Sequence, residues 1–554
     1  MKYFFTFLFF LFTLFLSGQT TQHPQCYKFR VYLKDKGYST YSTENPRAFL
    51  SKRSIERKRK EKIIIDKSDF PISRDYFTLV EKAGGKIVTH SKWFNTLVVE
   101  VTDSVGIGSI ESFPFVDSVK YIWRGSKTLS DEKARPRLSS TPFNEIGDAE
   151  NQDYTEYRLT DAQFRMHNAT AMTEAGFKGK GMLVGVIDAG FTNFDVIPLF
   201  ESIKLGGYRD FVVGGNIFSS SDHGTKVLST MATDLPGLMV GSAPEATYWL
   251  LRSEDVSSEF PVEEDYWVRA VEFADSLGVD VINTSLGYNN FDDKSLNYTH
   301  AELNGRSSLM SQAADKAYEK GVLIVVSAGN EGDKPWRKIT PPADAKNILS
   351  VGAVGTDSII APFSSHGLTA DGRIKPDLVS VGWETITIGK EGAIGYTSGT
   401  SLSSPFLTGL ITSLWSVNPD LPRSELIDIV RRSSDRYMNP DSVYGYGIPD
   451  FHRAMKEVLA KLEAYPQNVN DKIWIIRPET TGGYMVSISD PVYSPASYSF
   501  RLLDESGYPI SSYRFSVDNL QQLVPLPDDI RKSNRFLYFV VEEPFKQRVY
   551  KVEI

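Results

Sequence analysis

Three short segments combine residue types that can move a proton and attack a carbonyl. The first closes an apolar run, Val186-Ile187-Asp188-Ala189-Gly190. A carboxylate held there by a turn could orient an imidazole, although an Asp in such a place also serves as a plain turn former. The second, Asp222-His223-Gly224-Thr225-Lys226-Val227, heads a helix running through Met231, where a histidine can equally be a structural first-turn residue. The third, Tyr396 to Pro405, opens a helix whose expected buried face carries Leu407, Leu410, Ile411 and Leu414. Gly399 permits a tight turn and Pro405 suits a first helical turn. A serine such as Ser401 at a helix start is commonly a cap. It also lies where N–H donors and the positive end of the helix dipole face a developing anion, as nucleophilic acyl transfer requires.

The elements that must position these residues lie between about 160 and 458. Continuous apolar runs (Met182 to Ile187, Val279 to Ile282, Val322 to Val326, Ile348 to Val354) alternate there with helical segments. Asp265 to Gly278 places Trp267, Val271, Ala274 and Leu277 on one face, and Ser308 to Gly321 does the same with Leu309, Ala313 and Ala317. Strands apolar on both faces and separated by helices predict an α/β fold, a doubly wound parallel sheet covered on both sides. Chemistry in such sheets collects at loops beyond the carboxyl ends of the strands.

Taken together, Asp188-Ala189-Gly190, His223-Gly224-Thr225 and Gly399-Thr400-Ser401 with Pro405 resemble the three active-site motifs of the subtilisin-like serine proteases, in that family's Asp, His, Ser order. Val281 to Gly287 and Val326 to Gly332 resemble its two substrate-holding strands. Phe363 to Gly367 with Asp371 to Asp377 resembles a structural stretch, and Tyr444-Gly445-Tyr446-Gly447 its end. The resemblance implies a secreted serine endopeptidase in which Ser401 attacks, His223 takes the proton, Asp188 holds the imidazole and Asn330 donates to the oxyanion. It also implies substrate contacts at Ser285, Leu286, Gly287, Ser327, Ala328 and Gly329. His366 falls in the structural stretch, and His90, His167, His300 and His452 receive no role. Ala189, Leu402 and Ser403-Ser404 depart from the usual pattern without removing a reacting group. The loop Thr233 to Gly237 lacks the Asn-rich character that holds calcium in many relatives, so no cofactor and no metal are expected, and a structural calcium has no support in the sequence.

The flanks suggest further parts. Lys2, the apolar run Tyr3 to Leu16 and Ser17-Gly18-Gln19 read as a signal peptide over 1–18, since the run is shorter than the roughly 20 residues that span a bilayer. Residues 26–123 alternate in strand patterns (Tyr27 to Leu33, Thr96 to Val101) and occupy the place of the family's inhibitory propeptide, a small α+β domain. The basic run Lys52 to Lys62, interrupted by Glu56 and Glu61, reads as a solvated helix face. Residues 124–158, polar with Pro136 and Pro142, read as a linker between this region and a catalytic domain over 160–458. From 465 to 554 short strand-like runs predict a β-sandwich. Tyr465 to Val469, Leu503 to Gly507 and Tyr550 to Ile554 loosely resemble sorting domains of the type IX secretion route, and a stabilising or substrate-binding β domain is the competing reading.

With 554 residues there is room for about two to four domains. A net charge of −8 gives no basis for nucleic-acid binding, and no later run is apolar enough for stable membrane insertion. Cys26 is the only cysteine, which excludes an internal disulfide and a cysteine zinc site. The expected partners are protein or peptide substrates and the chain's own propeptide. Two other readings compete. A catalytically dead binding protein of the same fold would lack a reacting group. An α/β-hydrolase esterase would need a Gly-x-Ser-x-Gly elbow and a later His, for which only His452 is available. The small, apolar walls at Ser285 to Gly287 and Ser327 to Gly329 suggest cleavage after large apolar residues.

Overall fold

The computed structural model describes residues 25–126, 157–464, 472–478, 483–489 and 491–554. The expected signal peptide, most of the expected linker and Tyr465 to Val469 lie outside these residues.

The apolar runs of the central region form strands of a seven-stranded sheet. Its order is Leu378–Val381, Leu349–Val354, Leu323–Ser327, Val281–Thr284, Leu183–Asp188, Thr247–Arg252 and Lys204–Asp210. All neighbours pair in parallel. In chain order the sheet starts at Leu183–Asp188, passes to the edge strand Lys204–Asp210, fills the place between with Thr247–Arg252, and then builds outward on the other side. Asp188 therefore ends a strand at the point where the order reverses, where a crevice opens beyond the sheet.

Helices Val262–Leu277 and Leu309–Glu319 cover one face, and Trp267, Val271, Ala274, Ala313 and Ala317 on them are fully buried. The other face carries the helix Thr400–Trp415, which differs from the one-sided helix expected: all sixteen of its residues are buried. The sheet lies on one side of it, while Phe164, Met455 and Leu459 share its core. Leu407, Leu410 and Leu414 are completely enclosed, each contributing about 1.5–3 kcal/mol.

Ahead of this unit, Lys86–Ser91, Thr96–Val101, Gln25–Leu33 and Val116–Ser126 form a four-stranded antiparallel sheet, with helices Lys52–Lys60 and Arg74–Lys82. The last strand runs to Ser126, beyond the expected end at 123. Tyr157, placed in the linker by composition, packs in the core with its ring 4.4 Å from that of Phe164. The basic helix is solvated on one side, where Lys52, Arg53, Arg59 and Lys60 are exposed, but its other side docks. Arg57 and Lys58 are buried and both reach Asp275 of the long helix, at 2.5 and 2.9 Å. Their partner stands more than two hundred residues away, so the local charge pattern could not reveal it. Arg30 similarly grips Asp265 with two bonds of 2.8 and 2.7 Å. Glu272 accepts from Ser91 Oγ at 2.5 Å and from the N–H of Lys92 and Trp93 at 3.1 and 2.9 Å.

The C-terminal residues form two antiparallel sheets around Val486, Phe500, Leu502, Phe539 and Val541. Pro509–Arg514 and Gln521–Pro525 are strands that the sequence pattern did not single out. No helix among the described residues is long and apolar enough to cross a membrane.

Removing one partner of a buried ion pair strands the other charge. Arg30→Met is therefore expected to destabilise the intact chain by about 3–5 kcal/mol. Chemical denaturation of the full chain carrying Ser401→Ala checks this, and a loss within error of zero would mean that Asp265 does not need its cation.

Candidate active site

Asp188 is fully buried at its strand's end. Its Oδ1 accepts from the Ala189 N–H at 2.8 Å and from His223 Nδ1 at 2.7 Å. His223 is the first residue of the helix His223–Ala232. Gly224 lets that helix come so near. Its N–H donates to the Gly190 carbonyl at 3.0 Å. A Cβ on Gly224 would stand 2.4 Å from that oxygen and 3.0 Å from the Asp188 Cβ. Any side chain there pushes the helix away and stretches the carboxylate–imidazole bond.

The His223 side chain is 36% exposed, one edge open to the cleft and the rest against Asp188. Burial works against its charge, but the Asp188 carboxylate and its hydrogen bond outweigh that and raise the pKa to about 9.

Ser401 is the second residue of the buried helix, after Gly399 at φ 155° and ψ 152°, a conformation that glycine alone adopts readily. Pro405 lies within this helix rather than in its first turn. With no N–H, it leaves the carbonyl of Ser401 without its helical donor. Ser285 Oγ–H takes that place at 3.0 Å. The Ser401 hydroxyl in turn stands 3.5 Å from the Ser285 carbonyl. Asn283, on the Val281–Thr284 strand, donates to Ser285 Oγ and accepts from Ser404 and Thr408 hydroxyls at 2.9 and 3.1 Å.

Asn330 accepts at Oδ1 from both the N–H and the hydroxyl of Thr400, each at 2.9 Å. A backbone N–H can only donate, so the oxygen must face Thr400 and the NH2 end is left for the cleft. Ser401, His223 and Asn330 line one cleft of about 350 Å3, with Ser285, Leu286 and Gly287 on one strand end and Ser327 and Gly329 on its neighbour. Ala328 does not reach the cleft. It is fully buried, and its N–H donates to Val351. Strand alternation turns it away while its two neighbours face the opening.

Among the described residues, the remaining histidines lie outside the cleft. His167 is buried between Pro449 O and Ser380 Oγ, at 3.1 and 2.8 Å. His452 bonds the Ser506 carbonyl at 3.0 Å, away from Ser401, so the esterase arrangement has no histidine. The Thr233 to Gly237 loop contributes to a short ribbon, Asp234–Leu235 against Met239–Val240. No group of His, Cys, Asp or Glu among the described residues is arranged to hold a metal.

Residues 179–447 match the Subtilase family, and residues 28–138 match the Peptidase S8 propeptide domain of Bacteroidota. Subtilisin DY of Bacillus licheniformis is 31% identical over 277 residues, 49% of this chain and 89% of the relative. The chain belongs to the subtilase family. Subtilisin E of Bacillus subtilis (strain 168) is 25% identical over 333 residues, 59% of this chain and 80% of its own. Serine protease AprX of the same bacterium is 25% identical over 300 residues, covering 49% of this chain and 65% of AprX. This subtilase is a serine-type endopeptidase with a propeptide domain ahead of its protease domain, which sets aside both the dead-protein and the esterase readings.

Several residues of the site had no signal in the sequence pattern: Thr400 as the group orienting Asn330, Asn283 bonded to Ser285, and Glu254, Glu259, Tyr288 and Asn289 in the cleft's lining. A search of every loop beyond a strand's carboxyl end would have reached Glu254, two residues past the Thr247–Arg252 strand.

The His223–Asp188 contact has a direct titration signature. His223 is expected to titrate near 9, and Asp188→Asn should return it toward or below the ordinary ~6.5. Because the folded value lies above the unfolded one, the contact stabilises fully below about 6.5 and its contribution fades as pH rises through about 9. NMR of the imidazole in the Ser401→Ala protein measures this, and identical titrations with and without Asp188 would refute the coupling.

Proposed function

We propose that Asp188, His223 and Ser401 form the catalytic triad of a secreted endopeptidase and that Asn330 supplies a side-chain donor to its oxyanion hole. The carrying observation is the 2.7 Å bond between Asp188 and His223 Nδ1, with Ser401 and the free amide end of Asn330 in the same cleft. Neutral His223 accepts the Ser401 proton at Nε2 as Oγ bonds to the peptide carbonyl carbon. The imidazolium then passes that proton to the leaving amine, and water repeats the sequence to release the acyl group. Asp188 keeps the ring in the tautomer whose Nε2 is bare. The carbonyl oxygen turns toward the Asn330 amide and the N-terminus of the Ser401 helix, where donors are already oriented. Since only neutral imidazole acts as base, the reaction rate rises with pH toward about 9.

The propeptide serves as an intramolecular inhibitor and first substrate. Its last strand, Val116–Ser126, ends beside the cleft: Trp123 Nε1 lies 3.4 Å from Ser258 Oγ, and Arg124 stands 3.9 Å from Asp293. Cleft residue Glu259 follows Ser258 directly. The strand thus brings the chain to the wall of the cleft that holds Ser401, at high effective concentration. The N-terminal segment 1–18 supports export. Leu503, Tyr538 and Val540 share a core with Met455 and Leu459, which supports a stabilising role for the C-terminal β domain, whether or not it also directs sorting.

Asn330→Leu should leave KM nearly unchanged while kcat falls by about 10²–10³, the cost known for removing such a donor from subtilisin. A weakened KM with unchanged kcat would reassign Asn330 to ground-state binding. Ser401→Ala, expressed in a protease-deficient host, should accumulate as the unprocessed chain and resist a serine-directed phosphonate. The wild type should be cut between about Trp123 and Thr160, the connecting stretch after the strand described above. Intact mass reads both proteins, and equal trimming in the mutant would assign the cut to another enzyme.

A further inference from the structure

The Glu254–Glu259 end of the cleft is acidic, and Glu254 is close enough to feel the charges of His223 and Asp188. Glu254 emerges two residues after the Thr247–Arg252 strand, which neighbours the Asp188 strand, and Glu259 follows in the same loop. Glu263 holds this loop by accepting from the N–H of Asp255 and Phe260 at 2.8 and 3.2 Å. The Glu263 carboxylate is thereby occupied. Those of Glu254 and Glu259 line the cleft and make no hydrogen bond or ion pair with any described residue.

A second observation lies on the adjoining loop. Tyr288 is 2% exposed and Asn289 8%. The Tyr288 hydroxyl and the Asn289 amide nitrogen are buried without a hydrogen-bond partner, and both residues line the same cleft. Buried polar groups are almost always paired, and leaving them bare costs their full desolvation. The one lysine of the cleft, Lys334, is already taken by Glu331 at 2.8 Å. Burial, with repulsion from Asp188 on Glu254 and from Glu254 and Asp292 on Glu259, raises both carboxyl groups to about 7. His223 and Arg252 partly offset this at Glu254, whereas Glu259 meets only repulsion from Glu254 and Asp292.

We propose that this end of the cleft receives a lysine or arginine side chain of the substrate, so that the enzyme favours peptides with a cationic residue near the scissile bond. Glu254 and Glu259 accept its charged N–H groups, the Tyr288 hydroxyl adds an acceptor, and the Asn289 amide donates to a substrate carbonyl. The chemistry differs from the preference for large apolar residues suggested by the walls alone, because those walls are only part of the cleft's lining. The inference rests on the protease reading above and adds a substrate class to it.

The test uses processed wild-type enzyme at pH 8 and internally quenched peptides in which one position at a time, on either side of the bond, is Lys, Leu or Glu. At one position or more, kcat/KM for Lys should exceed that for Leu by about tenfold or more, the size of one charge-assisted hydrogen bond. In Glu254→Gln/Glu259→Gln that ratio should fall to about one, and Glu259→Lys should turn the order toward the Glu peptide. Such a reversal of preference is not produced by a merely structural role. Equal cleavage of Lys and Leu peptides at every position, or an unchanged ratio in the double variant, overturns the proposal. Phosphonate labelling of Ser401 accompanies each assay. Labelled enzyme without cation preference removes the acidic subsite and leaves the protease reading standing, whereas absence of labelling removes both.

Discussion

Complete burial of the Thr400–Trp415 helix is the constraint on which the rest of the molecule depends. A helix enclosed on every side must be apolar around its whole circumference or satisfy each polar side chain inside. Here the hydroxyls of Ser403, Ser404, Thr408, Thr412 and Ser413 all bond to carbonyls of the helix or its neighbours. With the helix anchored in the sheet's core, its N-terminus has one position. Ser401 is then set at the crevice where the strand order reverses, and a shift of the helix would move the nucleophile, Thr400 and the orientation of Asn330 together.

The second constraint is the placement of carboxylates under the propeptide. The helix Val262–Leu277 carries Glu264, Asp265, Glu272 and Asp275, all buried. Such groups are costly unless paired, and the propeptide supplies Arg30, Arg57, Lys58 and a row of backbone N–H donors. The docked propeptide is therefore matched to this surface by charge and by hydrogen bonds, and its last strand is aimed at the cleft. Those carboxylates and the unpaired ones of the cleft lie on opposite sides of the same problem. The former are answered by the propeptide, and the latter are the groups proposed to meet a cation of the substrate.

Much of the protein was legible along the chain. The apolar runs marked most central strands because a strand buried on both faces leaves no room for alternation. Asp188, His223 and Ser401 were legible because each sits where a continuous pattern breaks: a carboxylate ending an apolar run, a histidine and a serine opening helices beside glycine. The edge strand Lys204–Asp210 was not legible, since its residues are mostly exposed and carry two glycines. The docked side of the basic helix Lys52–Lys60 was not legible because local charge counts cannot see Asp275. Pro405 looked like a first-turn residue. It sits deeper, where its missing N–H is compensated by Ser285, a residue just past the Val281–Thr284 strand.

The sequence by itself determined which residues could react, the parallel α/β core and the presence of a mixed domain before it and a β domain after it, because these follow from residue type and short-range periodicity. Only the tertiary structure decided how those residues meet. The 2.7 Å bond of Asp188 to His223 needs Gly224 to let a helix press against a strand end, and the free amide of Asn330 needs Thr400 from a segment seventy residues on. The acidic end of the cleft needs loops from two strands that are not consecutive in the sheet. Each of these is a contact between segments remote in the chain, and no local pattern encodes the distance between them.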